Sequence, residues 1–234
     1  MKISGHSKRR ALTALDKIVL ISFSGFCEES YDPITRSESP LTDRIKLVLD
    51  AIDTLNADDP NHDLVQGKPV PREHLYSKRM TERLAEFMPE AGELLQIAVH
   101  AQHIQRWKSK RADYPLGKAG YYRWRTDLGK MHAETTAGVM RSHGYDEDQV
   151  ERTQHLLMKR GLKTDVEVQA LEDVACLVFL EHYFLPFAEK HEEQKVIDIV
   201  QKTWRKMSSG GQAAALQLPH TDQALNMLKK ALDL

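Results

Sequence analysis

An all-α fold is predicted by three features of this sequence. From Leu41 onward apolar residues recur at spacings of three and four. Capping residues stand where those runs begin and end, and no stretch alternates apolar and polar residues between hairpin turns. A single helical domain over 41–234 is expected, preceded by an extension over 1–40.

Lys8-Arg9-Arg10 precedes an apolar patch from Ile18 to Phe23, in outline like a signal peptide. The patch is short, Asp16 and Lys17 interrupt its approach, and no small-x-small cleavage site follows. A bilayer span takes about 20 apolar residues. Tyr31 to Pro40 is polar and holds two prolines. A poorly ordered extension is therefore expected, not a targeting or membrane segment.

Ile45, Val48, Leu49, Ile52 and Leu55 form one helical face, stopped by Asp58-Asp59-Pro60-Asn61. A loop with Gly67, Pro69 and Pro71 leads to a helix over 72–87. Pro89 opens the next stretch, since proline suits a first turn. That helix carries Leu94, Leu95, Ile97, Ala98 and Ile104 and is expected to end near Trp107. Residues 109–119 read as a loop, punctuated by Tyr114-Pro115 and Gly117. A long helix over 120–143 follows, ended by Gly144. Asp146 is an N-cap for a helix reaching Arg160, with Gly161 as its C-cap. Asp165 caps the next helix, which carries the apolar run Val174 to Leu180 and meets Pro186. Two more helices are expected, over 192–207 and 222–232, with Gly210-Gly211 breaking the chain between them.

Composition narrows the function classes. Apolar residues are 41% of the chain, enough for a real core, and the formal net charge is −1. The overall balance therefore carries no nucleic-acid or membrane signal. Cys27 and Cys176 are the only cysteines, far apart and without a CxxC partner. A disulfide framework and a zinc ribbon are not indicated, and a reducing cytoplasm is the expected location. The chain has no GxxxxGK[ST] loop, HExxH or GxSxG. Lys206-Met207-Ser208-Ser209 looks like part of an aminoacyl-tRNA synthetase signature, but no parallel sheet is readable to carry it.

Residues 94–132 concentrate the chemistry. Between His100 and Arg125 stand seven cations (Arg106, Lys108, Lys110, Arg111, Lys118, Arg123 and Arg125) against one acid, Asp113, a net of +6. Arginine grips phosphate with two parallel donors and lysine adds a point charge. Trp107, Tyr114, Tyr121, Tyr122 and Trp124 offer flat surfaces. A phosphorylated small molecule or a nucleotide is the expected partner. Gln102, Arg106, Arg111, Lys118, Tyr121 and Arg125 are the candidate binding residues. One short basic loop is not a nucleic-acid surface. The plain alternative is a solvated loop whose tryptophans anchor the helix ends.

Several blocks resemble a family. EHLYSKRMTERL, LLQIAVHAQHIQRW, GYYRWRTDLGKMHAETTAGVMRSHGYDEDQV, LEDVACLVFLEHYF and KTWRKMS together resemble DUF4202 over about 41–218. The order of blocks also has a more distant resemblance to the HD-domain metal-dependent phosphohydrolases, which implies an HD-like helical architecture. The His-Asp pair that defines that superfamily reads Gln102-His103 in this chain. The resemblance implies metal ligands at His74, His103, His132 and Asp173, with Lys159 near the position of a further histidine. It also implies a divalent metal (Mn, Fe, Zn or Mg), with Glu172 or His100 moving protons. His100 and His103, at i and i+3, would share a helix face. Two functions follow as expectations. One is metal-dependent hydrolysis of a nucleotide or other phosphorylated small molecule. The other is a non-catalytic module that kept the pocket and senses a nucleotide or small anion.

Overall fold

A computed structural model describes residues 40–233, all within one compact unit, Glu38–Leu234. The extension expected over 1–40, with its basic cluster, apolar patch and Cys27, lies outside the described residues except for Pro40. Among the described residues the chain is mostly helical, with ten α-helices. They are α1 (Pro40–Ala57), α2 (Arg72–Phe87), α3 (Glu93–His100), α4 (Gly117–Ser142), α5 (Glu147–Leu157), α6 (Val166–Val178), α7 (Phe184–Ala188), α8 (Glu193–Lys206), α9 (Ser209–Leu216) and α10 (Asp222–Leu232). None is long and apolar enough to cross a membrane.

The helix ends follow from local chemistry. Asp146 caps α5 through the Gln149 amide, and the Gln149 side chain returns to the Asp146 amide, a capping box. Asp165 accepts from the amides of Glu167 and Val168 to start α6. Gly144 follows α4 at φ +78°, a left-handed conformation that glycine adopts without a Cβ penalty.

Helix α5 stops at Leu157, short of the expected end at Arg160 and Gly161, and α4 starts at Gly117, ahead of the expected 120; four further segments depart from the expectation. The loop before α2 is an antiparallel hairpin, β1 (His62–Val65) paired with β2 (Lys68–Pro71). Its two-residue turn, Gln66-Gly67, has positive φ at both positions, which matches the strand twist. Four-residue strands are too short to leave a readable alternation. A second departure is α9, whose Ser208 cap accepts from the Gly211 amide and so starts a helix through two glycines. Third, a π-helical turn, Phe179–Tyr183, joins α6 to α7. Pro186 has no amide to give the His182 carbonyl and its ring crowds that position, so the α-ladder cannot run straight through.

The fourth departure shapes the site. Helix α3 stops at His100, not near Trp107. Past it the bonds tighten to three-residue spacing, with the amides of Ile104 and Arg106 reaching Ala101 and His103. Gln105 then turns into the left-handed region at φ +52°. Asn56, wholly buried on α1, accepts the Gln105 amide at 2.8 Å. Its own amide donates to the Ser77 hydroxyl at 3.0 Å and the Glu73 carbonyl at 3.5 Å on α2. One side chain thus ties α1, α2 and the chain leaving α3.

Two apolar cores share α6. The first packs Val48, Ile52, Met80, Leu95, Ile97, Met140, Val150 and Leu171 from α1 to α6. The second packs Leu177, Phe184, Val196, Val200 and Leu228 from the end of α6 through α10. Removing the Asn56 amide would orphan the Gln105 amide and take one partner from Ser77 and the Glu73 carbonyl on α2, a lost partner costing about 1–3 kcal/mol. Asn56→Ala is expected to destabilise the fold by roughly 2–4 kcal/mol in urea unfolding. A loss under about 0.5 kcal/mol, the range of an indifferent surface change, would contradict this role.

Candidate functional site

The turn after α3 carries His103 and Arg106 to a point where α2, α4 and α6 approach. The His103 ring stacks on Tyr76 of α2, centroids 4.0 Å apart and planes 12° apart. Its Nδ1 lies 3.2 Å from a Glu73 carboxylate oxygen, and its Nε2 lies 2.8 Å from Arg106 Nη1. An arginine only donates, so Nε2 accepts and the Nδ1 proton points at Glu73. Arg106 also rests over Trp124, 5.2 Å from the ring. Trp124 is fixed in turn by its indole N–H, which donates to the Ser109 carbonyl at 3.1 Å. His132 of α4 stands across from His103 with ring centroids 6.0 Å apart.

A cavity of about 270 Å³ opens beside these rings. Gln102, His103, Arg125, His132, Met158 and Lys159 are among its lining residues. The His132 Nε2 and Gln102 Oε1 are buried there and have no protein partner. Among the described residues Arg125 makes no ion pair with a carboxylate. Lys159 adopts φ +52°, unusual for a residue with a Cβ, and its ammonium pairs with Glu172.

Burial and surrounding cations set the protonation states. Burial, then Arg106 and Arg125, lower the His132 pKa to about 3. Burial and the neighbouring Arg106 also hold His103 well below its ordinary value. Both imidazoles are therefore neutral at physiological pH, each with one nitrogen that only accepts. Glu73 goes the other way. Burial raises its carboxyl to about 7 although Arg106 pulls it down.

The remaining sequence candidates fall elsewhere. His100 and His74 join a network around Asp53 on α1. The His100 Nε2 lies 3.0 Å from Asp53 Oδ1 and its Nδ1 lies 2.8 Å from the Thr81 hydroxyl. His74 Nδ1 lies 3.3 Å from the same Asp53 oxygen, and Lys78 pairs with the other. The expected shared face of His100 and His103 is lost because the helix ends between them. Asp173 accepts from the Ser208 amide at 2.8 Å and the Ser208 hydroxyl at 2.6 Å, so it secures the start of α9. Glu172 is bracketed by Lys159 and Lys206; burial pushes its carboxyl up, the two ammoniums outweigh that, and it titrates below its usual range. Arg111 staples its own loop through the carbonyls of Tyr114 and Pro115, both at 3.0 Å. Lys118 is exposed, 5.8 Å from the Tyr122 ring, and Tyr121 is exposed beside Trp124.

The structure thus brings together Gln102, His103, Arg106, Arg125 and His132, and it leaves His74, His100, Arg111, Lys118 and Asp173 apart from them. Among the described residues no three His, Cys, Asp or Glu side chains are grouped as a metal ion needs. The donors that do meet are two imidazoles beside cations, and Arg106 occupies the His103 lone pair. Sequence reasoning missed Glu73, Tyr76 and Tyr183. Glu73 and Tyr76, at i and i+3 on α2, carried a signal only once paired with His103.

The chain belongs to the family described as Domain of unknown function (DUF4202), whose model matches residues 46–228. No curated protein and no solved structure matches it.

The two titrations oppose each other. His132 has a native pKa below its unfolded value, so it contributes stability above about pH 6.5 that is lost as the pH falls towards 3. Glu73 has a native pKa above its unfolded value, so its contribution is full below about pH 4.5 and is lost as the pH rises through about 7. His132→Asn removes only the first. The stability difference between the parent and this variant is expected to fall by about 2 kcal/mol between pH 7 and pH 5. A difference that stays constant across that window would contradict a neutral, buried His132.

Proposed function

We propose that the cavity between α4 and the turn after α3 binds a phosphorylated small molecule, and that the domain acts as a binding module for it. The observation that carries this reading is an uncompensated cation beside unfilled acceptors. Arg125 has no carboxylate partner among the described residues, and the His132 Nε2 and Gln102 Oε1 are buried without one. A phosphate ester supplies what is missing. Its anionic oxygens match Arg125, and a hydroxyl on the phosphate or its carrier can donate to His132. The imidazoles add no charge of their own, which leaves recognition of the anion to the Arg125 guanidinium.

A second reading, hydrolysis of the bound ester by an HD-like domain, is favoured by one feature. Glu73, with a carboxyl near pH 7, touches the imidazole that lines the cavity. A pKa near the working pH suits an acid-base group. Histidines at 103 and 132 and an acid at 173 also follow the order of the HD blocks. The four donors His74, His103, His132 and Asp173 do not form one coordination site in this arrangement. Glu73 and His103 would therefore carry the proton steps themselves.

Titration calorimetry of the full chain with inorganic pyrophosphate tests the binding reading. Binding is expected, weakened about tenfold or more by Arg125→Ala, since a hydrogen bond to a charged group contributes about 1.5–3 kcal/mol. Binding that ignores this substitution would contradict the site. Phosphate release from a phosphomonoester, abolished by Glu73→Gln while pyrophosphate binding persists, would select hydrolysis over sensing.

A further inference from the structure

A second cavity, about 360 Å³, lies next to the first and shares His103 with it. Its walls are aromatic. Phe179 and Tyr183 come from the π-helical turn, and Tyr76 comes from α2 with its ring 6.1 Å from that of Tyr183. Its polar groups are the Glu73 carboxyl beside His103, the guanidiniums of Arg106 and Arg72, and the Tyr183 hydroxyl, which is buried without a partner among the described residues. Ala175 also lines it, and so small a side chain leaves the middle of the α6 face open.

The two cavities meet at His103, which lines both. Glu172, which holds Lys159 of the first cavity, and Ala175 and Phe179 of the second stand at i, i+3 and i+7. Those positions share a helix face and span about 10 Å at a rise of about 1.5 Å per residue. The π-helical turn widens the backbone at the end of that face, which is where Phe179 and Tyr183 are presented.

We infer that the second cavity is the subsite for a planar nucleobase, so that the ligand is a nucleotide with its phosphate at Arg125 and its base against Phe179, Tyr183 and Tyr76. This inference rests on the phosphate-binding reading of the first cavity. Aromatic rings stack on any base face. A buried carboxyl that keeps its proton near neutrality can both donate and accept, which fits a base edge with adjacent acceptor and donor atoms. Arg106, which lines the second cavity and bonds the shared His103, is the cation placed to meet the sugar of such a ligand.

Calorimetry on the full chain tests it with three probes: inorganic pyrophosphate, ribose 5-phosphate and the four common ribonucleoside monophosphates. At least one monophosphate is expected to bind on the order of tenfold or more tighter than ribose 5-phosphate. Ala175→Leu fills the second cavity and is expected to remove that advantage while leaving ribose 5-phosphate affinity unchanged. Phe179→Leu keeps bulk but not the aromatic face and is expected to lower the nucleotide advantage several-fold. Circular dichroism establishes that each variant is folded. Equal affinity for ribose 5-phosphate and every monophosphate in the parent chain would overturn the base subsite while leaving the phosphate site standing. Absence of binding by all three probes would overturn both.

Discussion

The hydrogen bond from the Gln105 amide to Asn56 is the constraint on which the site depends. Left to its apolar pattern, α3 would continue through Ile104 and carry His103 onto the same face as His100. The buried amide of Asn56 offers the Gln105 N–H a partner outside the helix. Gln105 accepts a left-handed backbone in exchange, a conformation that costs on the order of 1 kcal/mol for a residue with a Cβ. The result is a short turn that aims His103 at Glu73 and brings Arg106 over Trp124. Because Asn56 also holds α2 through Ser77 and the Glu73 carbonyl, the same side chain positions both members of the Glu73–His103 contact.

Charge is distributed unevenly around that turn. Glu172 spends its charge on Lys159 and Lys206, and Asp53 is taken by Lys78, His74 and His100. Asp53 thus serves the separate network of His74, Lys78 and His100, and Glu172 neutralises Lys159 at the cavity wall. What remains at its wall is Arg125, with Arg106 behind His103. Burial of the rings and the nearby guanidiniums disfavour a further positive charge on either imidazole, which is why both stay neutral. Under the proposed reading these guanidiniums receive an anion, and selectivity falls to the shape and hydrogen bonding of the anion's carrier.

Helix boundaries set by local chemistry were legible in the sequence. Asp146, Asp165 and Gly144 mark ends that depend on the side chains or backbone freedom of the residues themselves, and α2 matches its expected span of 72–87. Boundaries set by distant residues were not. The end of α3 is decided by Asn56, roughly fifty positions away in sequence, and the start of α9 is secured by Asp173 on α6. The site was legible to the same degree. From the stretch between Gln102 and His132, the side chains of Gln102, His103, Arg125 and His132 line one cavity, whereas Arg111 and Lys118 do not. Spacing alone could not tell His103, which faces it, from His100, three residues earlier and locked between Asp53 and Thr81. Nor could it show that Asp173 secures a helix start instead of standing with the imidazoles, since that depends on where Ser208 folds back.

The central claim is that a cationic cavity with neutral imidazoles receives an anion beside His132. The most direct test is nuclear magnetic resonance of the full chain with nitrogen-15 in its histidine rings, titrated with pyrophosphate at pH 7. The account predicts that the His132 and His103 rings begin neutral, and that their signals move on binding while those of His62 and His220 stay in place. Rings that begin protonated, or pyrophosphate that binds while the His132 signal stays still, would contradict it.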